Sequence, residues 1–227
     1  MPDNNTYYSN INKHLLAICP DANNVLEFGC GAGQFMAAYK QKHAHAFSVG
    51  VELFNTAAKD AEQIFDKVIV GNTEELDLSA HQVEQNSFDL LIYGDVLEHF
   101  VDPWTALEKH LHFLKPGGTV CICVPNIAHW SIIFGLLNGS FEYRDQGLLD
   151  RTHMRFFTRS SLKDLIMRAG LTIETIDSII INKKKTEQAI TTLAKLFGKP
   201  AEDLNPARRK DWATYQYLIR AHKPQKT

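Results

Sequence analysis

From Asn24 onward the chain switches repeatedly between short apolar runs and segments with helical spacing. Asn24 to Phe28, Ala46 to Val51, Lys67 to Val70, Phe88 to Tyr93 and Thr119 to Val124 are near-continuous apolar runs of strand length. Between them, Phe35 to His43, Asn55 to Phe65 and Pro103 to Leu114 repeat apolar residues at helical intervals. A strand without polar alternation is buried on both faces, and strands separated by helices pair in parallel. The pattern to Val124 therefore predicts a doubly wound α/β core. A helix is expected to lead into it over Tyr7 to Cys19, where Tyr8, Ile11, Leu15, Leu16 and Ile18 share a face and Pro20 stops the run.

Beyond Pro125 the pattern changes. Ile127 to Leu137 reads as a helix, and Asn138 to Phe157 as a loop-rich segment carrying Arg144, Asp145, Asp150, Arg151, His153 and Arg155. Ser160 to Ala169 is a helix ended by Gly170, and Leu171 to Ile181 is a β-branched strand. Ala213 to Ala221 alternates as a strand, with a helix from Glu187 to Phe197 before it. Two final strands separated by an insertion over 183–210 suit an antiparallel hairpin at the sheet edge. Lys183 to Lys185 and Arg208-Arg209-Lys210 read as solvated basic turns.

Composition narrows the class without naming a chemistry. A length of 227 residues, 44% hydrophobic and 22% charged, fits one globular domain large enough to hold itself together without disulfides or metal. The formal charge of -2 disfavours nucleic acid as a partner. Cys19, Cys30, Cys121 and Cys123 have no C-x-x-C spacing and read as reduced thiols. No apolar run has membrane-spanning length and the first residues are polar, so a cytoplasmic location is expected.

The first candidate chemistry lies where the first strand meets its helix. Glu27-Phe28-Gly29-Cys30-Gly31-Ala32-Gly33 allows the sharp turn and close backbone approach that a nucleotide-like ligand needs. The glycines are spaced G-x-G-x-G; a dinucleotide fingerprint would place glycine where Gln34 stands, which argues against a nicotinamide-dependent dehydrogenase. About 20 residues on, Val49-Gly50-Val51 ends at Glu52, where a carboxylate can accept both ribose hydroxyls.

With Phe88-Asp89, Gly94-Asp95-Val96-Leu97-Glu98-His99 and Leu114-Lys115-Pro116-Gly117-Gly118, these segments resemble the ordered motifs of class I S-adenosylmethionine-dependent methyltransferases. The resemblance implies a Rossmann-like, seven-stranded α/β sheet, mainly parallel, whose last strand is antiparallel. It implies that Glu27 and the loop Gly29, Cys30, Gly31 and Gly33 hold the methionyl end of the cofactor, and that Glu52, with Leu53 beside it, holds the ribose. Asn72, Thr73 and Glu74 would meet the adenine, with Asn72 standing where relatives often carry an acid; Asp95 and Val96 would line the methionyl end.

Asp95, Glu98 and His99 fall at i, i+3 and i+4, which on a helix is one face. This D-x-x-E-H arrangement is similar to the metal-binding segment of ubiquinone-pathway O-methyltransferases and, with Glu in the first place, of small-RNA 2'-O-methyltransferases. The resemblance implies that a divalent metal could be held by Asp95, Glu98, His99 and His153. Many methyltransferases carry the Leu-Glu-His triplet without metal, and there His99 or His153 would act as a general base.

The 126–157 segment is expected to bind the acceptor. Gly147 to Thr158 is similar in outline to the corresponding block of methyltransferases of bacterial polysaccharide and glycan assembly, which implies O-methylation of a sugar hydroxyl. A phenolic or other small-molecule acceptor, and a catalytically inactive partner subunit, remain the alternatives.

Overall fold

The computed structural model describes residues 11–225; the beginning of the expected Tyr7 to Cys19 helix lies outside them. The described part of that helix is α1, Lys13–Ile18, capped by the Asn12 side chain, which accepts from the Leu15 amide. The strands that follow are β1 (Asn24–Phe28), β2 (Phe47–Glu52), β3 (Lys67–Val70), β4 (Phe88–Gly94), β5 (Leu114–Pro125), β6 (Thr172–Ile179) and β7 (Gln216–His222). They form one seven-stranded sheet in the order β3-β2-β1-β4-β5-β7-β6. The first five pair in parallel, and β7 runs antiparallel to both β5 and β6.

The continuous apolar runs are explained by cover on both faces. Leu26, Phe28, Leu91, Tyr93, Val120 and Ile122 point to one side, against α4 (Pro103–His110) and α6 (Arg159–Arg168). Val25, Leu90, Ile92, Cys121 and Cys123 point to the other, against α1, α2 (Gln34–Lys40) and α3 (Asn55–Ala61). Strand order reverses between β1 and β4, and a doubly wound sheet opens its ligand crevice at the carboxyl ends of the strands at such a switch point.

The remaining helices are α5 (Trp130–Leu137), α7 (Lys183–Leu196) and α8 (Pro206–Ala213). They share a third apolar cluster, in which Trp130, Ile133 and Phe134 meet Ile190, Leu193, Leu204 and Trp212. Buried Asn126, at the end of β5, ties this layer to the sheet by donating to the Asp211 and Thr214 carbonyls at 2.7 and 2.8 Å.

Several boundaries differ from the sequence pattern. Strand β5 begins at Leu114 rather than Thr119, because Leu114 pairs with Phe88 and the Pro116-Gly117-Gly118 bend interrupts the register before Thr119 pairs with Leu90. A side chain at Gly118 would lie 2.5 Å from Leu114, so the bend requires glycine there. The two basic runs are helical and not turns. Lys183 to Lys185 opens α7, with Lys185 5.5 Å from the Trp130 ring, and Arg209 on α8 pairs with Glu187 at 2.5 Å. Asn205 caps α8 and Pro206 opens it, a start signal that the adjoining charges hid.

Candidate functional site

The glycine loop is folded by its own amides. Gly29 and Cys30 N–H groups donate to the Val51 carbonyl at 2.8 and 3.1 Å, and the Gly31 N–H donates to Glu52 Oε2 at 2.8 Å. Gly29, Gly31 and Gly33 all have positive φ, of 66°, 55° and 86°. A Cβ on Gly29 would lie 2.8 Å from Val96, so the loop and the end of β4 are in direct contact. The second Glu52 oxygen accepts from the Phe54 N–H at 3.0 Å, while Leu53 beside it is exposed.

A cavity of about 340 Å³ opens from this loop. Glu27, Gly29, Cys30 and Gly31 line it together with Asp95, Glu98, Asp150, His153, Tyr215 and Gln216. Cys30 is buried and burial pushes its thiol up, so it is packing and not a nucleophile.

The expected one-face arrangement of Asp95, Glu98 and His99 does not form. Asp95 ends β4 in the left-handed region, with φ of 55°, and only Leu97–His99 makes a 3-10 turn. Asp95 accepts from Gln216, and the metal-competent cluster comprises Glu98, His99 and His153, whose ligand atoms lie within 4.8 Å of one another. Backbone contacts assemble it: the Met154 and Arg155 N–H groups donate to the Glu98 carbonyl at 2.8 and 2.9 Å. His99 Nδ1 lies 3.2 Å from the Thr152 carbonyl. A carbonyl only accepts, so His99 carries its proton on Nδ1 and presents Nε2 as the free acceptor. The His99 and His153 rings meet edge to face, with centroids 4.9 Å apart.

Asp150 shapes this loop. Its Oδ1 accepts from the Thr152 N–H and hydroxyl at 2.8 and 2.7 Å, which turns the chain and sets His153 in place.

Burial dominates the electrostatics. Glu27 is pushed up to about 8 by burial, with the Glu52 charge adding to it, and its Oε2 is buried without a hydrogen-bond partner among the described residues. Asp95 is raised to about 6 by burial, partly offset by hydrogen bonds from Cys123, Gln216 and Asn12. Glu98 is raised well above the carboxylate range by burial and then by Asp95. His99 and His153 are both lowered by burial, so at neutral pH each imidazole is uncharged. Glu98 Oε2 and His153 Nδ1 are likewise buried without partners among the described residues.

A family profile described as a methyltransferase domain matches residues 4–176. The chain belongs to the class I S-adenosylmethionine-dependent methyltransferases. The methyltransferase is 28% identical over 165 residues to the ubiquinone biosynthesis O-methyltransferase of Psychrobacter arcticus, covering 70% of this chain and 62% of that protein. It is 23% identical over 164 residues to the mitochondrial ubiquinone biosynthesis O-methyltransferase of Homo sapiens, covering 70% and 44%. The match thus spans less than two thirds of either relative. Among solved structures, an S-adenosylmethionine-dependent methyltransferase from Archaeoglobus fulgidus superposes with a TM-score of 0.63 at 18% identity, covering 97% of this chain and 95% of that one.

In the methyltransferase the expected residues divide into two groups. Glu27, Gly29, Cys30, Gly31 and Asp95 line the cavity, with Gly33, Val96 and Glu52 holding the loop's shape. Glu74 does not point to a ligand: its carboxylate accepts from the Val101 and Asp102 N–H groups at 2.9 and 2.7 Å. The Asn72 side chain accepts from the Glu74 amide, and the Thr73 carbonyl accepts from His110 Nε2 at 3.0 Å. His110, pulled down to about 4 by burial, accepts from the Tyr93 hydroxyl through Nδ1 at 3.0 Å. This neutral chain fixes the 72–74 loop, and its helical histidine carried no local signal in the sequence. Gln216, Tyr215 and Asn12 reach the site from distant segments and were equally invisible. Trp130 belongs to the third apolar cluster, and Trp104 is exposed on α4.

Proposed function

We propose that this methyltransferase binds S-adenosylmethionine in the 340 Å³ cavity and methylates a hydroxyl oxygen of a small-molecule acceptor beside Glu98 and His153. The observation that carries the reading is the unpartnered, fully buried Glu27 Oε2 beside the glycine loop. A buried carboxyl without a partner is costly, and an ammonium group facing it removes that cost. S-adenosylmethionine supplies, when bound, an electrophilic methyl group on a sulfonium. Glu27 and the loop amides would hold the methionyl end, and Glu52, Leu53, Asn72 and Thr73 the nucleoside.

His153 is the base of this reading. It lines the cavity, it is neutral, and its Nδ1 has no partner among the described residues. It would take the acceptor's hydroxyl proton as the oxygen gains the methyl group and the neutral thioether departs, leaving charge balanced. His99, packed edge-on against it, positions the ring. The O-methylation assignment draws on the two curated relatives, and it favours a phenolic acceptor to the extent that they are ubiquinone-pathway enzymes. Radiolabelled methyl transfer to panels of phenols and sugars tests it; cofactor binding without transfer to any hydroxyl would leave a cofactor-binding partner subunit instead.

Glu98, His99 and His153 also fit a divalent cation, since they bring ligand atoms within 4.8 Å of one another, the set mixes carboxylate with imidazole, and Glu98 Oε2 and His153 Nδ1 are buried without partners among the described residues. A cation there would make a bound hydroxyl more acidic. In that case a chelator abolishes methyl transfer and leaves cofactor affinity intact; full activity in the chelator retires the ion.

Replacing Glu52 with alanine is expected to weaken S-adenosylmethionine binding by about 1–3 kcal/mol, through loss of charge-assisted bonds to the ribose and of the Gly31 amide contact. Calorimetry reads this directly, and unchanged affinity removes Glu52 from the ribose site.

A further inference from the structure

His110, the last residue of α4, is 1% exposed and touches three segments at once. Its Nε2 donates to the Thr73 carbonyl at 3.0 Å, and its Nδ1 accepts from the Tyr93 hydroxyl at 3.0 Å. Its ring stacks on Phe28, with centroids 4.0 Å apart and planes 14° from parallel. Each contact lies beside the candidate site. Phe28 is followed by Gly29, and Tyr93 by Gly94 and Asp95; these three line the 340 Å³ cavity. Thr73 belongs to the loop after β3, whose Gly71 N–H donates to the Glu52 carbonyl at 2.9 Å.

We propose that His110 is a positioning residue for the cofactor: it fixes the 72–74 loop against the ends of β1 and β4 and so sets the nucleoside side of the site. The inference rests on the S-adenosylmethionine reading and adds to it a residue outside the cavity lining.

The imidazole suits this task in a way no apolar residue could. A carbonyl only accepts, so Nε2 carries the proton and Nδ1 is left to accept from the Tyr93 O–H. Burial holds the ring neutral, with its pKa pulled down to about 4. One donor and one acceptor on the ring are therefore both used, and the ring packs uncharged among Phe28, Tyr93 and Phe100. Phenylalanine would occupy the same space but would lose both bonds and strand the Tyr93 hydroxyl.

Other contacts from α4 and the residues before it reach the neighbouring Glu74. Lys109 Nζ donates to the Glu74 carbonyl at 3.0 Å, and the Val101 and Asp102 N–H groups donate to its carboxylate. Those three bonds are exposed, where water competes for every partner. The His110–Thr73 bond is buried, so it is the one that holds the loop to a single position.

Calorimetry on the full chain tests this with two ligands, S-adenosylmethionine and 5′-methylthioadenosine, a nucleoside without the amine and carboxylate. His110→Phe is expected to raise the Kd of both by about tenfold, the size of one lost buried hydrogen bond. His110→Gln keeps a donor and an acceptor and should recover most of that loss. Combining Tyr93→Phe with His110→Phe removes the stranded hydroxyl. The double variant should melt above the single one while its Kd stays about tenfold raised, which a residue serving only the fold would not produce. Should His110→Phe not fold, the double and glutamine variants carry the same comparison. Affinity within about twofold of wild type in either phenylalanine variant overturns the proposal. So does a glutamine variant that binds no better than the phenylalanine one, or a loss that S-adenosylmethionine shows and the nucleoside does not. Failure of the wild-type protein to bind S-adenosylmethionine would instead overturn the cofactor reading, so the two failures are separable.

Discussion

His153→Ala is expected to lower kcat for methyl transfer by about 10²–10⁴-fold, the usual worth of a positioned general base, while S-adenosylmethionine affinity stays within about twofold. The separation follows from geometry. His153 comes from the 150–153 turn and not from the glycine loop, and its backbone is held by Asp150 whether or not the imidazole is present. The pH profile gives the second readout. Burial, with the neighbouring His99, lowers the His153 pKa below its ordinary 6.5. The free base therefore persists through neutral pH, and wild-type kcat should fall only as pH drops below that value. The acid limb should vanish in the residual activity of His153→Ala. His99→Ala should cost less, because His99 acts by packing against the ring and holding the Thr152 carbonyl. A His153→Ala enzyme retaining most of its kcat would sink the base assignment.

The glycine-loop part of the candidate site was readable in the sequence because its pieces are local. A loop whose three glycines need positive φ, and an acid at the end of the next strand, are each specified by residues adjacent in the chain. Parallel pairing then brings the two together without further information, since Glu27 lies in register with Gly50. The alternation of runs gave the sheet for the same reason: burial on both faces leaves a signature in the central strands β1, β2, β4 and β5.

Failures began where geometry depends on segments far apart. The D-x-x-E-H spacing suggested a helical face, but Asp95 leaves β4 in a left-handed conformation and turns to Gln216, which lies 121 residues away. Glu74 went to the 101–102 loop, a contact no spacing rule anticipates. Asp150, one of the charged residues of the 138–157 loop, lines the cavity and also builds the turn before His153. A separate cavity of about 200 Å³ is the extreme case, because Ser131, Arg144 and Tyr215, which line it, meet only after β7 has paired with β5.

Glu27→Gln is expected to act on stability and binding with opposite signs. In the free protein the Glu27 carboxyl is raised from 4.5 to about 8, chiefly by burial. A carboxyl whose folded pKa lies above its unfolded value favours folding most at low pH, and that contribution is lost as pH rises from about 4.5 through about 8. Neutral glutamine removes the penalty. The variant should therefore have the higher Tm of the two without cofactor at pH 8, and the difference should shrink toward pH 5. Cofactor binding reverses the ranking. An ammonium group against Glu27 lowers its pKa, so at pH 7, where the free carboxyl is still mostly protonated, binding should release up to about one proton. That release appears as a binding enthalpy that changes with the ionisation enthalpy of the buffer. Glu27→Gln should abolish the buffer dependence and weaken S-adenosylmethionine by about tenfold or more, the loss of a charge-assisted bond. A stabilising substitution that costs affinity is the pattern of a residue kept for its ligand and not for the fold. Proton release that persists in the variant would assign it to Asp95 or Glu98 and take Glu27 out of the ammonium site.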